Sequence, residues 1–274
     1  MNNVVKHSSS LKSKNGQHIV RIRDVEVGAK RIVIMAGPCT VEDRENLLMT
    51  AISVREAGAL VLRGGAYKTR TSPRSFQGLG ETALRLLAEA REQSGLPIVT
   101  EITDHTDLPL IAKYADMLQI GSRNMQNTVL LKAVGRCRLP VLLKRGFSNT
   151  IDEWLSAADY ILDGGNDQVV LCERGIRTFE TSTRFSLDIL SVPVVKRKSR
   201  LPIIVDPSHA AGNRDLVIAV SRAAIAAGAD GLLVEVNCNP YEAKVDGKQT
   251  ITTEQFSDLM RQLKAIACSV KREL

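Results

Sequence analysis

Four residues of types that commonly bind divalent metal ions are widely spaced in the chain: Cys39, His209, Glu235 and Asp246. A site with one thiolate, one imidazole and two carboxylates suits Mn, Fe, Co or Zn, and the ligand types do not choose among these metals. Three of the residues also have ordinary structural readings. Cys39 alone is more often a small buried apolar side chain. His209 is placed to cap a helix, and Asp246 to occupy a solvated turn.

Glu235 weighs against those readings. It ends an apolar run that begins at Leu232, and a carboxylate in a buried strand is costly unless a cation pairs with it. We therefore interpret the four residues as ligands of one metal ion.

Basic side chains form the second chemical group. Seven of them follow apolar runs or lie in the loop after one: Arg63, Lys68, Arg70, Arg123, Lys144, Arg145 and Arg174. A solvated surface would account for any single one. Together they would repel one another unless an anion lay among them, and guanidinium groups bind phosphate and carboxylate through paired hydrogen bonds. The set predicts an anionic, phosphorylated substrate.

Both groups lie where short apolar runs end, and this position predicts the fold. Eight runs read as strands, at residues 31–36, 59–63, 97–102, 117–121, 140–145, 168–173, 202–206 and 231–236. Helical patterns alternate with them, at residues 43–57, 79–94, 106–115, 126–136, 150–163, about 181–191, 214–228 and 253–270. This alternation predicts an α/β fold, the (β/α)8 TIM barrel, whose active site collects the carboxyl ends of the strands.

Barrel topology brings the candidate metal ligands together. Cys39 follows the first predicted strand, His209 the seventh, and Glu235 ends the eighth, with Asp246 in the loop beyond. The first, seventh and eighth strands are neighbours in a closed barrel. We therefore expect the four residues to meet on one side of the mouth, with the basic group opposite. The extended loop at residues 64–78 is long for a compact domain, which favours a functional role.

The remaining organisation is simple. Residues 1–30 are predicted to form a polar tail and a short β-hairpin that covers the bottom of the barrel, and residues 31–274 the catalytic barrel. No boundary of a second domain is evident.

The composition excludes several classes of function. Of the 274 residues 44% are hydrophobic and only 4% aromatic, and the net charge is +7. Aromatic residues that would stack bases are scarce, so we predict no nucleic-acid partner. No P-loop or dinucleotide fingerprint is present, which argues against a nucleotide cofactor. No apolar run reaches the ~18–20 residues of a membrane span. With five scattered cysteines and no signal peptide, the chain reads as a cytoplasmic protein.

Seven segments carry a specific family resemblance, in order, across about residues 31–262. They are residues 36–39 (Ala-Gly-Pro-Cys), 63–73, 121–127, 143–146, 171–178, 206–209 (Asp-Pro-Ser-His) and 234–236. In them the chain resembles the 3-deoxy-D-arabino-heptulosonate 7-phosphate (DAHP) synthases, most closely the small microbial subfamily related to 3-deoxy-octulosonate 8-phosphate (KDO 8-phosphate) synthases. The resemblance implies a transferase that condenses phosphoenolpyruvate with erythrose 4-phosphate to give DAHP and phosphate. That reaction is the first step of the shikimate pathway to the aromatic amino acids.

The resemblance also implies roles for individual residues. One divalent metal ion would be held by Cys39, His209, Glu235 and Asp246. Phosphoenolpyruvate would be bound by Arg123, Lys144 and Arg174, and the sugar phosphate received by Arg70 and Thr71. Arg63 and Lys68 would lie between the two substrates. Lys68 would also give a proton to the new alkoxide, and Glu101 would hold a water near the reacting carbon. The catalytic groups would then be Lys68, Glu101 and His209.

Two positions depart from the family pattern. Thr69 stands where the family usually has a proline in the aldehyde-phosphate loop, and a proline would fix that backbone. Asn237 stands where histidine is common, from which we expect an indirect effect on the metal or its water. Relatives are usually dimers or tetramers, so we expect a homodimer or homotetramer. The short stretch before the barrel leads us to expect little feedback inhibition by aromatic amino acids.

Three functions remain to be separated. The leading one is a metal-dependent DAHP synthase. A variant of this hypothesis is a specialised paralogue that uses another aldose phosphate. A KDO 8-phosphate synthase would take arabinose 5-phosphate, but the sequence Lys-Thr-Arg-Thr-Ser at residues 68–72 is closer to the erythrose type of loop than to Lys-Ala-Asn-Arg-Ser. The third is a non-catalytic barrel that binds sugar phosphates, and the intact set of predicted ligands argues against it.

Overall fold

A computed structural model of the protein describes residues 16–70 and 72–274. Two short strands, β1 (Val20–Ile22) and β2 (Val25–Val27), pair as an antiparallel hairpin. Eight parallel strands then form a closed barrel in chain order: β3 (Val33–Gly37), β4 (Val61–Arg63), β5 (Ile98–Ile102), β6 (Met117–Ile120), β7 (Val141–Lys144), β8 (Val169–Glu173), β9 (Ile203–Val205) and β10 (Gly231–Glu235). β10 pairs with both β9 and β3, which closes the ring. The predicted (β/α)8 barrel with an N-terminal hairpin is confirmed.

Alternation along the strands builds two separate cores. In β3, Ile34 and Ala36 belong to the outer cluster that packs against the helices. Val33 and Met35 belong to the inner cluster, which fills the barrel. Because successive side chains of a strand point to opposite faces, a strand covered on both faces is apolar almost throughout.

The hairpin closes the bottom of the barrel. Its apolar side chains belong to the inner cluster: Val20, Ile22, Val25 and Val27. Two polar contacts tie it to residues that precede strands. The backbone N–H of Arg21 donates to Gln168 at 3.0 Å, and the Arg23 side chain pairs with Asp116 at 2.5 Å. The opposite end, where the strands finish, therefore remains open for a site.

Helices surround the barrel in the described part of the chain: α1 (Arg44–Ala57), α2 (Glu81–Ser94), α3 (Leu108–Ile111), α4 (Thr128–Gly135), α5 (Ile151–Leu162), α6 (Ser191–Lys198), α7 (Pro207–Ala211), α8 (Arg214–Ala226) and α9 (Thr253–Ser269). Six of these helices start at a polar side chain that accepts a backbone N–H of the first turn. Asp43 accepts the N–H of Asn46 at 2.8 Å before α1, and Thr150 forms a reciprocal capping box with Glu153 before α5. None of these helices has the length and apolar character needed to cross a membrane.

The prediction of a helix at about residues 181–191 is wrong. That segment belongs to a long loop after β8, which folds back through a bridge between Ile176 and Ser186. The helix itself, α6, begins at Ser191. Pro193 lies in its first turn, where a missing N–H costs nothing, and three cations at residues 196–198 favour its last turn.

Two further differences affect the regions that follow strands. The helix predicted at residues 106–115 is only a 3-10 turn (His105–Asp107) followed by α3. The short helix α7, directly after β9, was not predicted, although it carries His209. Of the predicted N-terminal tail, residues 1–15 lie outside the described residues.

Candidate active site

Cys39, His209, Glu235 and Asp246 come together at the mouth of the barrel. Each offers one ligand atom, and the four atoms all lie within 4.8 Å of one another. Cys39 follows β3, His209 lies in α7, and Glu235 is the last residue of β10. Asp246 reaches the cluster from the loop beyond, with a backbone φ of 54° that Asp adopts more readily than most residues. This geometry matches the convergence expected from the order of the strands.

Neighbouring side chains orient the ligand atoms. His209 Nδ1 lies 2.7 Å from Asp206 Oδ2, which turns Nε2 toward Glu235 Oε1 at 3.3 Å. Gln249 donates to Glu235 Oε2 at 2.6 Å, and Arg63 donates to Glu235 Oε1 at 3.0 Å. Burial alone would raise the pKa of Glu235, but the charges of His209 and Arg63 outweigh it and the pKa is lowered.

The cluster has the donors and dimensions for a divalent ion. Ligand atoms at roughly 2.0–2.3 Å from one ion lie at most about 4.6 Å apart, so only small movements are needed. A metal-binding histidine usually has its second nitrogen held by a carboxylate or a carbonyl, as Asp206 holds His209 here. Burial and the charge of Glu235 raise the pKa of the Cys39 thiol to about 12. Binding of an ion would therefore displace the thiol proton.

Lys68 lies directly against this cluster. Its ammonium group donates to Cys39 Sγ at 2.8 Å and to Asp246 Oδ2 at 3.1 Å, and the side chain is only 14% exposed. Burial would lower the pKa of Lys68, but its interactions with the Cys39 sulfur and the Asp246 carboxylate outweigh burial and the pKa is raised. The group is therefore protonated at neutral pH and can donate a proton.

A polar pocket opens beside the cluster. His209, Asp246 and Lys68 line it on one side, and Glu101 and Thr69 also face it. Its described lining has six cations: Lys68, Arg70, Arg123, Lys144, Arg174 and Arg184. Only two carboxylates, those of Glu101 and Asp246, oppose them among the described residues. This excess of positive charge favours a ligand with several negative charges.

A buried carboxylate links the basic side of the pocket to the metal cluster. Asp206 Oδ2 accepts from Lys144 Nζ at 2.5 Å and lies 2.7 Å from His209 Nδ1. Burial opposes ionisation of Asp206, yet the charges of His209 and Lys144 hold its pKa well below the usual value. Asp206 therefore contacts both Lys144 of the pocket and His209 of the metal cluster.

Glu101 points into the pocket from β5. Gln119 on β6 donates to its Oε2 at 3.0 Å. Gly121 makes room for the other oxygen, because a Cβ at that position would lie 2.1 Å from Oε1. Strand β6 thus holds the Glu101 carboxylate in place, and the glycine that follows this strand leaves space for it.

Arg63 is not a lining residue of the pocket. Its side chain is 5% exposed and lies behind the cluster, where it donates to Glu235 and to the carbonyl of Pro38 at 2.9 Å. Its Nε is buried without a hydrogen-bond partner. The structure shows Arg63 as a support for Glu235. The position between two substrates, which the family resemblance implies for Arg63, stays a prediction.

Arg145 also lies outside the pocket. It donates to Glu173 at 2.8 Å and to Asp188 at 2.7 Å, so its charge is balanced by acids. Successive strand residues point to opposite sides, which sends Lys144 inward and Arg145 away. Thr71, expected at the sugar phosphate, lies outside the described residues.

A family model described as the DAHP synthetase I family matches residues 10–271. The chain belongs to this family. Phospho-2-dehydro-3-deoxyheptonate aldolase of Thermotoga maritima is 54% identical to it over 249 residues, which cover 91% of this chain and 74% of the relative. A more distant relative, 2-dehydro-3-deoxyphosphooctonate aldolase of Syntrophotalea carbinolica, is 32% identical over 271 residues, covering 92% of this chain and 97% of that protein.

Solved structures of the family agree with the fold. The crystal structure of the Thermotoga maritima DAHP synthase superposes with a TM-score of 0.92 at 52% identity, covering 94% of this chain and 76% of that one. A truncated form of the Thermotoga enzyme gives a TM-score of 0.88 at 48% identity, with coverage of 94% and 95%.

The two departures from the family pattern occupy different places. Thr69 lines the pocket beside Arg70, so it can affect a ligand directly. Asn237 is buried, and its side-chain oxygen accepts the N–H of Asn239 at 2.8 Å. Its visible role is to shape the loop after β10 that leads to Asp246.

Three residues of the site were not predicted from the sequence to be functional. Arg184 pairs with Asp246 at 3.2 Å and donates to Gln249 at 2.7 Å, while Asp206 and Gln249 orient the cluster. Asp206 had a signal, since an acid that ends a buried strand needs a cationic partner just as Glu235 does. Arg184 and Gln249 lie in loops, where no periodic pattern fixes their direction.

Asp206→Asn is expected to weaken binding of a divalent ion by about tenfold to a hundredfold, because the amide no longer holds the His209 ring through a charged hydrogen bond. Titration with Mn²⁺ measures this affinity. Asp24→Asn, in the exposed hairpin turn, is the matched control and should bind like the unmodified protein. Equal affinity of the Asp206 variant and this control would contradict the orienting role.

Proposed function

We propose that the protein is a metal-dependent DAHP synthase that condenses phosphoenolpyruvate with erythrose 4-phosphate. One observation carries the proposal: the pocket lined by six cations shares His209 and Asp246 with the four-ligand cluster, and its Lys68 contacts Cys39 and Asp246. A metal ion and two anionic substrates would therefore meet in one cavity. Neutralising two anions that are brought together is the main electrostatic task of this reaction.

The two substrates are assigned to different parts of the pocket. Phosphoenolpyruvate, with a phosphate and a carboxylate, suits the inner cations Lys144 and Arg174, which are buried, together with Arg123 at the rim. The aldose phosphate suits the loop after β4, where Arg70 and Thr69 line the opening. We assign Thr71 to the same phosphate on the strength of the family motif.

The groups of this chain then support each step. A divalent ion held by Cys39, His209, Glu235 and Asp246 would supply Lewis acidity toward the aldehyde oxygen. The terminal carbon of phosphoenolpyruvate bonds to the aldehyde carbon, and Lys68 gives its proton to the aldehyde oxygen. Water held by Glu101 adds at the second carbon, and phosphate leaves with cleavage of the C–O bond. The arginines keep both anions in reacting geometry.

Erythrose 4-phosphate is favoured over arabinose 5-phosphate by the comparisons. Identity is 54% to a phospho-2-dehydro-3-deoxyheptonate aldolase and 32% to a 2-dehydro-3-deoxyphosphooctonate aldolase. Consumption of phosphoenolpyruvate with a panel of four- and five-carbon aldose phosphates tests this choice. We expect kcat/KM for erythrose 4-phosphate to exceed that for arabinose 5-phosphate by about a hundredfold, the discrimination that one additional carbon unit permits.

Thr69→Pro is the matched variant for this panel, because it restores the residue usual in the family. It should keep the same preferred aldehyde if Thr69 changes only the stiffness of the loop. For the unmodified protein, a kcat/KM that is higher with arabinose 5-phosphate than with erythrose 4-phosphate would support the KDO 8-phosphate alternative. Protein that contains no metal and consumes no phosphoenolpyruvate with any aldehyde of the panel would support the non-catalytic barrel.

We further propose a cytoplasmic homo-oligomer. All five cysteines are free, which suits a reducing compartment. Apolar side chains on the outer faces of α4 and α5 are exposed, with Val129 at 58% and Tyr160 at 42%, and such a surface supports a subunit interface. The choice between a dimer and a tetramer stays a prediction.

A further inference from the structure

Two stacked phenylalanine rings lie beside the anion pocket. Phe147 follows β7, and Phe185 lies in the loop after β8. Their centroids are 5.1 Å apart and their planes differ by 9°. The guanidinium carbon of Arg174 lies 4.0 Å from the centroid of Phe185 and 4.9 Å from that of Phe147. Both distances are within the roughly 6 Å over which an aromatic face attracts a cation.

The same rings gather further positive charge. Three more arginines approach one ring or the other at 5.5 to 5.9 Å: Arg123, Arg177 and Arg184. Guanidinium groups this close repel one another. The negative faces of the rings offset part of that repulsion without adding a carboxylate, which would compete with an anionic ligand.

The backbone fixes the position of Phe185. Its N–H donates to the carbonyl of Ala210 on α7 at 3.0 Å. The next residue, Ser186, exchanges two hydrogen bonds with Ile176, of 2.9 and 3.0 Å. Gly175 permits the close approach, because a Cβ there would lie 2.7 Å from the Cβ of Phe185. The ring is therefore held by the fold and does not depend on Arg174 for its placement.

Arg174 differs from the neighbouring buried arginine. It is 3% exposed, no salt bridge joins it to another described residue, and its hydrogen bond to the carbonyl of Gly175 is long at 3.4 Å. Arg145, 4% exposed, is instead paired with Glu173 and Asp188. Burial of an unpaired charge is costly, so burial lowers the pKa of Arg174 to about 10. Ring contacts hold such a cation while leaving its other N–H groups available to a ligand.

We propose that Phe147 and Phe185 are positioning residues, which hold the guanidinium of Arg174 toward the pocket so that it binds an anionic group of phosphoenolpyruvate. This inference rests on the proposed function, because it names the ligand of that site. The rings contribute to affinity for this substrate, and they do not take part in bond making or proton transfer.

Phe185→Leu tests the inference, because leucine keeps apolar bulk and removes the aromatic face. We expect the Kd for phosphoenolpyruvate, measured by calorimetry without aldehyde, to rise about tenfold, as does KM, while kcat stays within about twofold. Phe185→Tyr keeps the ring and should bind within about twofold of the unmodified protein. Phe179→Leu, on the same loop and 98% exposed, is the matched control and should change nothing.

Circular dichroism shows whether Phe185→Leu is folded. If it is not, Phe147→Leu tests the same inference through the second ring. Unchanged affinity in these leucine variants overturns the inference, and so does a loss in Phe185→Tyr as large as that in Phe185→Leu. Unmodified protein that binds phosphoenolpyruvate without turnover overturns the proposed function alone, and the variant affinities then decide the inference. Absence of both binding and turnover overturns the two together.

Discussion

Cys39→Ala is expected to lower kcat for phosphate release from phosphoenolpyruvate by about a thousandfold or more, since loss of several kcal/mol of Lewis-acid stabilisation has that effect. The sulfur atom is one of four ligand atoms within 4.8 Å of one another, and alanine removes it without adding a new group. Steady-state rates should be measured together with metal content by elemental analysis. Both quantities are expected to fall.

The control for this variant is Cys268→Ala, which removes an exposed thiol on α9. It should keep its full rate and its metal. Full activity in Cys39→Ala would remove the sulfur from the ligand set, and the site would then have to be assigned to His209, Glu235 and Asp246 alone.

Lys68→Met is expected to lower kcat by about a hundredfold to ten-thousandfold, the contribution typical of a positioned general acid. Methionine retains much of the length and apolar stem of lysine but has no proton to give. Because Lys68 touches Cys39 and Asp246 yet is not a ligand, the variant should keep its metal. Single-turnover rates with both substrates bound measure the effect on chemistry.

The outcome separates two roles of Lys68. Loss of metal in parallel with the rate would mean that the ammonium group mainly supports the cluster. An unchanged kcat would exclude it as the proton donor. Lys113→Met, at an exposed position after α3, controls for the loss of one positive charge and should leave both metal content and rate unaltered.

Much of the candidate site follows from the sequence because a parallel barrel converts strand order into position. Cys39 lies two residues beyond the end of β3, and Glu235 is the last residue of β10. The two residues are far apart in sequence, yet the register of these strands pairs Gly37 with Glu235. An apolar run that ends in a polar residue is readable without any knowledge of contacts. The convergence of Cys39, His209 and Glu235 follows from the order of the strands, whereas Asp246 reaches the cluster from a loop.

The positions of residues in loops do not follow from the order of the strands. The segment containing Arg184 and Phe185 has a composition that a helix tolerates, yet contacts with Asp246 and Ala210 hold it over the mouth. The direction of the Arg63 side chain likewise depends on the carbonyl of Pro38 and the carboxylate of Glu235, which lie next to Arg63 only in the folded chain. Such long-range contacts override local propensity and leave no local signal in the sequence.

Phosphate release from phosphoenolpyruvate and erythrose 4-phosphate, before and after removal of metal by a chelator, is the measurement closest to the central claim. We predict steady release in the metal-loaded protein, loss of nearly all activity on chelation, and recovery when Mn²⁺ or another of the candidate ions is returned. Release that continues at the same rate in protein shown by elemental analysis to be metal-free would contradict the joint role assigned to the cluster and the cationic pocket.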